Sequence, residues 1–165
     1  MPLQLETQRL LLTPEVDQDA AWLAELFSAR GSDLVTPDEA LQRISAMTET
    51  LRTTGIGALA LRVKPHLDPI GYCAIVVGRS SVEEPELAFE LLPRAHGCGY
   101  ATEGARAVLD AAFATGRERI WSTVREWNAP SIRVLEKLGF VRDHSTTDSH
   151  GSVLWLVCDQ TALRP

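Results

Sequence analysis

The spacing of apolar residues near the start of the chain predicts one strand and two helices. The apolar run Arg9–Thr13 is ended by Pro14, which favours a short strand. From Asp17 to about Arg30, apolar residues recur at the spacing of one helix face. The segment Thr36-Pro-Asp-Glu39 has the capping pattern of a helix start, and the helix that it begins ends before Gly55.

The middle of the chain shows the apolar runs and the alternation that are typical of strands. Gly57–Val63 and Ile70–Val77 are strand-like, and the short segment between them predicts a hairpin. Glu86–Leu92 alternates, with leucines and a phenylalanine on one face and with Glu86 and Glu90 on the other.

The second half of the chain predicts two more helices and three more strands. The first three of these elements are an alanine-rich helix from Tyr100 to about Thr115, a strand at Arg119–Val124 and a short helix at Pro130–Leu138. The last two strands begin at Phe140 and at Ser152, and the polar segment Ser145–Gly151 is predicted to join them.

The order of these elements, β-α-α-β-β-β-α-β-α-β-β, mixes hairpins with helix crossovers. Hairpins make antiparallel strand pairs and crossovers make parallel ones, so the sheet is predicted to be mixed, with helices on its faces. We therefore expect one α/β domain over residues 1–165.

Composition narrows the class of protein. The chain has 165 residues, of which 45% are hydrophobic and 23% are charged, which fits one domain with a core. Its net charge of -6 argues against a nucleic-acid partner and favours neutral or basic ones such as amines. Cys73, Cys98 and Cys158 form no C-x-x-C pair, which argues against disulfides and against a zinc site. Reduced cysteines, with no signal-peptide pattern and no long apolar run, predict a cytoplasmic protein without a membrane partner.

A glycine turn between the strand Glu86–Leu92 and the following helix is the strongest candidate for chemistry. Gly97 and Gly99 let the backbone turn sharply and come close to a ligand. The first amides of the helix lack intrahelical partners and carry the positive end of the helix dipole, so the expected guest is a phosphate or pyrophosphate. Arg94 would add charge-assisted hydrogen bonds. The turn alone fits equally well a loop whose glycines only permit the tight connection.

Other phosphate-binding motifs fit this turn less well. The sequence contains no G-x-x-x-x-G-K-[ST], which argues against a P-loop NTPase. A dinucleotide fingerprint needs a third glycine three residues after Gly99, and that position is Thr102.

Four segments together resemble the GNAT superfamily of acyl-CoA N-acyltransferases, in the order in which that family has them. Arg94-x-x-Gly97-x-Gly99, followed by Tyr-Ala-Thr-Glu103, resembles its acyl-CoA signature. Leu5-Glu-Thr-Gln-Arg-Leu-Leu-Leu12 resembles the opening of the ribosomal-protein N-terminal acetyltransferase (RimJ/RimL-like) branch. The remaining two segments, which resemble the strand before the CoA turn and the late block of the family, are Glu86–Pro93 and Asn128–Phe140. The match is specific for the superfamily and not for a substrate.

The resemblance implies a mostly antiparallel sheet with helices on both faces, and acetyl-CoA as the acyl donor with no metal. The donor would lie where the strands Glu86–Leu92 and Arg119–Val124 splay apart. Backbone groups near Leu91 and Leu92 would pair with its pantetheine arm, and an amide near Leu91 would polarise the thioester carbonyl. The residues expected at its pyrophosphate are Arg94, Gly97, Cys98, Gly99, Tyr100, Ala101 and Thr102.

The resemblance also implies direct transfer to an amine, which needs a base. Glu86 and Glu90 are the candidates. Glu86 is preferred because some family members place their catalytic glutamate there. Both residues also fit the solvated face of an ordinary alternating strand.

Departure of the thiolate calls for a proton donor. Many relatives use a tyrosine immediately before the Glu136-Lys pair, and this chain has Leu135 at that position. Ser131 occupies a place where the ribosomal branch often has a serine facing the CoA sulfur, and it fits an ordinary first-turn helix residue as well. Asn128 is expected to contact the pantetheine arm, to cap the short helix, or to do both.

The sequence does not identify the amine that accepts the acetyl group. The opening segment favours a protein N-terminus, but the same branch contains enzymes for small-molecule amines. The resemblance makes a homodimer a candidate assembly, although no sequence pattern indicates one. The alternative function is a catalytically weak CoA-binding sensor or interaction protein of the same fold, because the tyrosine is missing.

Overall fold

An eight-stranded sheet with helices on both faces forms the described part of this computed structural model, which covers residues 1–31 and 34–163 and side chains through Thr161. The strands are β1 (Leu5–Glu6), β2 (Leu10–Pro14), β3 (Ala58–Val63), β4 (Asp68–Val76), β5 (Glu86–Leu91), β6 (Arg119–Arg125), β7 (Val141–Asp148) and β8 (Gly151–Asp159). The helices are α1 (Ala20–Ser28), α2 (Pro37–Thr54), α3 (Tyr100–Phe113) and α4 (Ala129–Lys137). Short 3-10 helices lie at Asp17–Asp19, Pro93–Ala95 and Gln160–Leu163.

The sheet is mixed and mostly antiparallel, as predicted. Its strand order is β1-β2-β3-β4-β5-β6-β8-β7. β5 and β6 run parallel, and the other neighbouring strands run antiparallel. α3 is the crossover that joins β5 to β6, since parallel strands cannot be joined by a tight turn. The parallel pair therefore lies in the interior of the sheet, between two antiparallel parts.

Two hydrophobic clusters hold the helices against opposite faces of the sheet. Leu59 and Leu61 of β3 belong to the larger cluster, together with Val108 and Leu109 of α3. Ala60, which lies between the two leucines and points the other way, belongs to the smaller cluster with residues of α1 and α2. The alternation along one strand thus separates the α1 and α2 face from the α3 face.

The second predicted helix is confirmed at both ends. α2 begins at Pro37, where the Thr36 hydroxyl accepts a hydrogen bond from the Glu39 amide (3.3 Å) and the Glu39 carboxylate accepts one from the Thr36 amide (2.8 Å). The helix ends at Thr54, immediately before Gly55. The capping box therefore has both of the reciprocal bonds that its sequence predicts.

The last hairpin differs from the prediction, because β7 continues to Asp148. The expected polar connection Ser145–Gly151 is wrong over Ser145–Asp148, whose residues pair with β8. All eight residues of β7 are exposed, since it is an edge strand with solvent on both faces. Such a strand carries no apolar alternation, so the sequence contains no pattern that would reveal it.

Two tryptophans from apolar stretches of the sequence lie at the surface of the core. Trp22 is buried, but Trp121 and Trp155 are only half-buried. Their rings meet edge to face at 5.9 Å between centroids, and the Trp155 ring stacks on His144 at 5.1 Å. The apolar strand sequence around them predicts burial, but these rings pack on one another across β6, β8 and β7.

The cysteines carry no cross-link. Cys73 and Cys158 are buried free thiols, and Cys98 is an exposed one. Across residues 1–31 and 34–163, no helix is both long enough and apolar enough to cross a membrane. Within those same ranges, no group of three or more His, Cys, Asp or Glu side chains is placed to hold a metal ion.

Two buried carboxylates with different surroundings lie just after β2. Asp19 is 2% exposed and accepts hydrogen bonds from the Arg62 guanidinium (2.6 Å), the Trp22 indole (2.7 Å) and the Val16 amide (2.9 Å). Glu15 is 8% exposed. Burial and then the negative charge of Asp19 raise the pKa of Glu15 to about 7, and the charge of Arg62 offsets only part of this effect.

Glu15→Gln should therefore stabilise the protein at alkaline pH. The pKa of Glu15 is raised from 4.5 to about 7 by folding, so the folded state favours the neutral carboxyl group. That contribution to stability is complete below about pH 4.5 and is lost as the pH rises through about 7. Glutamine stays neutral, so its advantage should grow with pH to the order of 3 kcal/mol, at roughly 1.4 kcal/mol for each pKa unit. Urea unfolding at about pH 5 and about pH 8 measures the difference.

The matched control is Glu25→Gln, which removes the same charge from an exposed position of α1. This variant should show no comparable pH-dependent gain. An equal gain in both variants would mean that net charge, and not the burial of Glu15, sets the effect.

Candidate active site

β5 and β6 touch at one end and part along the remainder of β5. Their pairing consists of one register position, Glu86 opposite Trp121. Beside it, the Trp121 amide donates to the Pro85 carbonyl (2.9 Å) and the Ser122 hydroxyl donates to the Leu87 carbonyl (2.9 Å). No further pairing of these strands occurs among the described residues, so a gap opens toward the carboxyl end of β5. This is the place where the two strands were expected to splay.

The free edge of β5 presents backbone groups to this gap. The Leu92 amide donates to the Ile70 carbonyl of β4 (2.8 Å), and successive residues of a strand direct their backbone groups to opposite sides. The amides and carbonyls of Phe89 and Leu91 therefore face the gap. His96 Nε2 lies 2.8 Å from the Leu91 carbonyl oxygen. Of the two leucines predicted to meet a ligand here, Leu91 has the available amide.

The turn after β5 gathers free amides at the start of α3. Gly97 and Gly99 have φ values of +76° and +82°, a conformation that costs other residues roughly 1–2 kcal/mol. The first hydrogen bond of the helix runs from the Glu103 amide to the Gly99 carbonyl (3.1 Å). The amides of the three helical residues before Glu103 thus have no intrahelical partner and lie at the positive end of the helix dipole. This geometry can bind an anion.

The opening segment of the chain braces this turn, a role that the sequence-based predictions did not assign. Arg9 pairs with Glu103 (2.6 Å), donates to the Cys98 carbonyl (2.9 Å) and lies over the Tyr100 ring (4.6 Å). The Thr7 hydroxyl also donates to Glu103 (2.6 Å). Burial alone would raise the pKa of Glu103, but the hydrogen bonds from Thr7 and Arg9 hold it below its ordinary value. The sequence contains a signal for this brace, because Thr7 and Arg9 both belong to the opening motif Leu5-Glu-Thr-Gln-Arg-Leu-Leu-Leu12.

Four other residues considered in the sequence lie in distinct surroundings. The exposed Arg94 guanidinium donates to the Pro69 carbonyl (2.8 Å). Asn128 caps α4, because its side-chain oxygen accepts from the Ser131 amide (3.3 Å). The half-buried Ser131 has no hydrogen-bond partner for its hydroxyl within the described residues. Leu135, at the position where many relatives have tyrosine, is 1% exposed and belongs to the core.

Glu86 is a buried carboxylate at the closed end of the gap. It is 5% exposed, and it accepts hydrogen bonds from the Thr123 hydroxyl (2.7 Å) and from the Arg79 backbone amide. Gly78, at φ +56°, provides the space for it, because a Cβ at that position would clash with a Glu86 carboxylate oxygen. Glu86 is therefore not part of a solvated strand face, and both of these donor groups are uncharged.

Glu90 lies on the same face of β5 as Glu86 but is paired with a cation. Arg30 forms an ion pair with its carboxylate (2.9 Å from Nε) and also donates to the Tyr72 hydroxyl (3.0 Å). Burial raises the pKa of Tyr72 to about 12, so the phenol keeps its proton. Burial tends to lower the pKa of Arg30, but its hydrogen bonds to Glu90 and Tyr72 leave it above the ordinary value. The guanidinium therefore neutralises Glu90.

Comparison with known proteins finds a family and solved structures that match this chain. Residues 9–141 match the family described as "Acetyltransferase (GNAT) domain". No match among curated proteins was found.

Solved structures superpose over nearly the whole chain. An acetyltransferase from Agrobacterium tumefaciens is 26% identical, with a TM-score of 0.78, and the match covers 97% of this chain and 95% of that one. Ribosomal-protein-S5-alanine acetyltransferase from Vibrio fischeri is 17% identical, with a TM-score of 0.82 and coverage of 99% and 100%. RimJ from Mycobacterium smegmatis, in complex with CoA-disulfide, is 21% identical, with a TM-score of 0.78 and coverage of 94% and 84%. The last two likenesses show the fold alone.

Arg9→Met should weaken the binding of CoA by about tenfold, which corresponds to roughly 1.4 kcal/mol. The substitution removes the ion pair with Glu103 and the hydrogen bond to the Cys98 carbonyl, so the turn that presents the free amides is held less rigidly. Calorimetric titration with CoA measures the affinity.

The control is Arg52→Met, which removes an equal charge from an exposed ion pair with Glu49 on α2. Affinity for CoA should stay unchanged in this variant. An unchanged affinity for CoA in Arg9→Met would show that the contacts of Arg9 with the turn do not contribute to ligand binding.

Proposed function

Because the chain belongs to the GNAT acetyltransferase family, we propose that it moves an acetyl group from acetyl-CoA directly to a primary amine. The observation that carries this proposal is the gap between β5 and β6, which leads from the buried Glu86 to the free amides at the start of α3. An extended thioester with a pyrophosphate near its far end fits a slot with an anion site at one end and a carboxylate at the other.

The pyrophosphate of the donor would bind at the glycine turn. Its two phosphates carry negative charge, and the turn offers several free backbone amides together with the helix dipole. Arg94 is exposed beside the turn and would contribute a further charge. The residues that would supply the amides are Gly97, Cys98, Gly99, Tyr100, Ala101 and Thr102.

The pantetheine arm would lie along the free edge of β5 as an added strand does. The backbone groups of Phe89 and Leu91 face that edge and would bond its amides. His96 now donates to the Leu91 carbonyl, and an amide of the arm would take its place. The Leu91 amide would hold the oxygen of the thioester carbonyl as negative charge develops on it. Leu92 would contribute less, because its amide is bonded to Ile70.

The base in this proposal is Glu86. The amine loses a proton as its nitrogen attacks the carbonyl carbon, and a carboxylate that accepts from uncharged donors remains free to take that proton through a water molecule. Glu90 is the weaker candidate because its charge is already neutralised by Arg30. This attack gives a tetrahedral intermediate. The intermediate collapses when its carbon–sulfur bond breaks, and the thiolate of CoA leaves and takes up a proton.

Ser131 is the candidate group near the departing sulfur. Its hydroxyl is half-buried in the first turn of α4, at the end of β6 that lies away from the closed part of the gap. A hydroxyl is a weak acid, so Ser131 would donate a hydrogen bond to the sulfur and relay a proton from water. Asn128 would combine its observed capping of α4 with a contact to the pantetheine arm.

The acceptor in this proposal is a primary amine, either a protein N-terminus or a small molecule. The opening motif and the ribosomal-protein acetyltransferase among the similar structures support a protein N-terminus. The half-buried rings of Trp121 and Trp155 and the exposed His144 lie on β6, β8 and β7, beyond Glu86 in the sheet, and would bound the acceptor side of the gap.

One observation favours a second candidate function. Leu135 is buried in the core at the position where many relatives have a catalytic tyrosine, so this chain offers no phenol there. A CoA-binding sensor of the same fold would keep the donor site without turnover. Release of free thiol from acetyl-CoA, measured over a panel of peptides, polyamines and amino acids, separates the two. Binding of CoA without thiol release on any acceptor favours the sensor, and absence of CoA binding excludes both.

Glu86→Gln should lower turnover by about a hundredfold or more, because it removes the base while keeping the size of the side chain. The affinity for CoA should change by less than about twofold, since Glu86 does not contact the amides of the turn. Steady-state kinetics and calorimetry on the same preparation measure the two effects.

Glu90→Gln is the matched variant, four residues further along the same strand face. It should retain turnover within a few-fold of the unmodified protein. Loss of turnover in Glu90→Gln with normal turnover in Glu86→Gln would reverse the assignment of the base.

A further inference from the structure

We propose that the amine accepted at this site belongs to an α-amino acid with an apolar or aromatic side chain, and that Arg79 binds its carboxylate. This inference rests on the proposed transfer from acetyl-CoA and names the class of acceptor. It makes Arg79 a residue that determines specificity, next to the base proposed at Glu86.

Arg79 reaches Glu86 through two different groups. Its backbone amide donates to one carboxylate oxygen of Glu86, and its guanidinium donates to the Thr123 hydroxyl (3.3 Å). The same hydroxyl donates to the other carboxylate oxygen of Glu86 (2.7 Å). A single hydroxyl group thus separates the guanidinium from the carboxylate of the proposed base.

The half-exposed guanidinium of Arg79 keeps donors for a ligand. A carboxylate oxygen of Asp148 lies 3.5 Å from it, beyond the usual length of such a hydrogen bond. Arg125 instead binds Asp148 through two donors (2.8 and 2.9 Å). The bonds from Arg125, followed by one from the His150 amide, lower the pKa of Asp148 to about 2. Two arginines therefore share one aspartate, and the charge of Arg79 remains available.

A carboxylate is the group that these donors fit. A guanidinium presents parallel N–H donors at the spacing of the two oxygens of a carboxylate. An α-amino acid carries its carboxylate on the carbon next to the amine, so one molecule can place the amine at Glu86 and the carboxylate at Arg79. A protein N-terminus has an uncharged peptide group in the place of that carboxylate and offers the guanidinium no such partner.

The rings beside Thr123 provide a surface for the side chain of the acceptor. Trp121 is two residues before Thr123 on β6, so both point to one face of the sheet, and Trp155 of β8 lies opposite Thr123. The two indole rings meet edge to face, and both are half-buried, so apolar ring surface faces solvent. An apolar or aromatic side chain would cover this surface. The base, the cation and the rings thus lie together on one face of the sheet.

The experiment measures thiol release from acetyl-CoA with L-phenylalanine, with L-leucine and with the amide of each. The amide keeps the amine and the side chain but lacks the negative charge. We expect kcat/KM for each amino acid to exceed that for its amide by about tenfold or more, which is the usual scale of a hydrogen bond to a charged group.

Arg79→Gln should remove this preference. It should lower kcat/KM for both amino acids by about tenfold or more and change kcat/KM for the amides by less than about threefold. Arg79→Lys keeps the charge without the parallel donors and should retain part of the preference. The backbone amide that bonds to Glu86 is present in both variants. Comparison of variants cancels the intrinsic difference in reactivity between an amino acid and its amide, because that difference belongs to the substrates.

The matched control is Arg142→Gln, which removes an equal charge from an exposed position of β7. Arg142 pairs with Leu156 of β8, which belongs to the core on the α3 side of the sheet. This variant should keep the preference for amino acids over amides.

The outcomes separate this inference from the proposed function. Equal kcat/KM for amino acids and amides, thiol release with peptides alone, a preference that survives in Arg79→Gln, or a parallel loss on both kinds of acceptor in that variant would each overturn the role of Arg79. Acetyl transfer itself would still stand in each of these cases. Absence of thiol release with every acceptor, peptides and polyamines included, would overturn the proposed function and this inference together.

Discussion

The parting of β5 from β6 is the constraint on which the candidate site depends. A backbone amide or carbonyl that leaves a sheet ladder needs another partner, and β5 has such groups at Phe89 and Leu91 because its pairing with β6 stops after one register position. The parallel direction of this one pair follows from the α3 crossover, which also brings the start of a helix to the carboxyl end of β5. The unpaired edge of β5 and the unpaired amides of α3 thus lie side by side. A single extended ligand can form hydrogen bonds with both.

Around that gap, the two glutamates of β5 show how position within one strand decides chemistry. Both side chains point to the face opposite α3, yet Glu86 is buried with uncharged donors and Glu90 is paired with Arg30. The guanidinium holds Glu90 as a neutralised structural group beside Tyr72. The space for Glu86 depends on a residue from another strand connection, since any side chain at position 78 would occupy it. Electrostatic surroundings, and not the alternation of the strand, distinguish the proposed base Glu86 from the ion-pair partner Glu90.

Glu15 differs from Glu86 and Glu90, because its burial weakens the fold at neutral and alkaline pH. Its neighbour Asp19 holds three donors from the backbone, an indole and a guanidinium, which leaves few partners for a second carboxylate. This cost applies to the ionised form of Glu15, so it grows as the pH rises through about 7.

Local patterns by themselves determined the helix ends with caps, the order of nearly all elements and the glycine turn, because each depends on residues close together in the chain. The capping box of α2 and the positive φ of Gly97 and Gly99 are of this kind. Tertiary structure alone decided which donors meet Glu86 and Glu90, the brace from Arg9 to Glu103, the length of the exposed strand β7 and the surface packing of Trp121 on Trp155. These contacts join residues from distant parts of the sequence, and neither hydrophobic periodicity nor a local motif specifies which distant side chain will arrive.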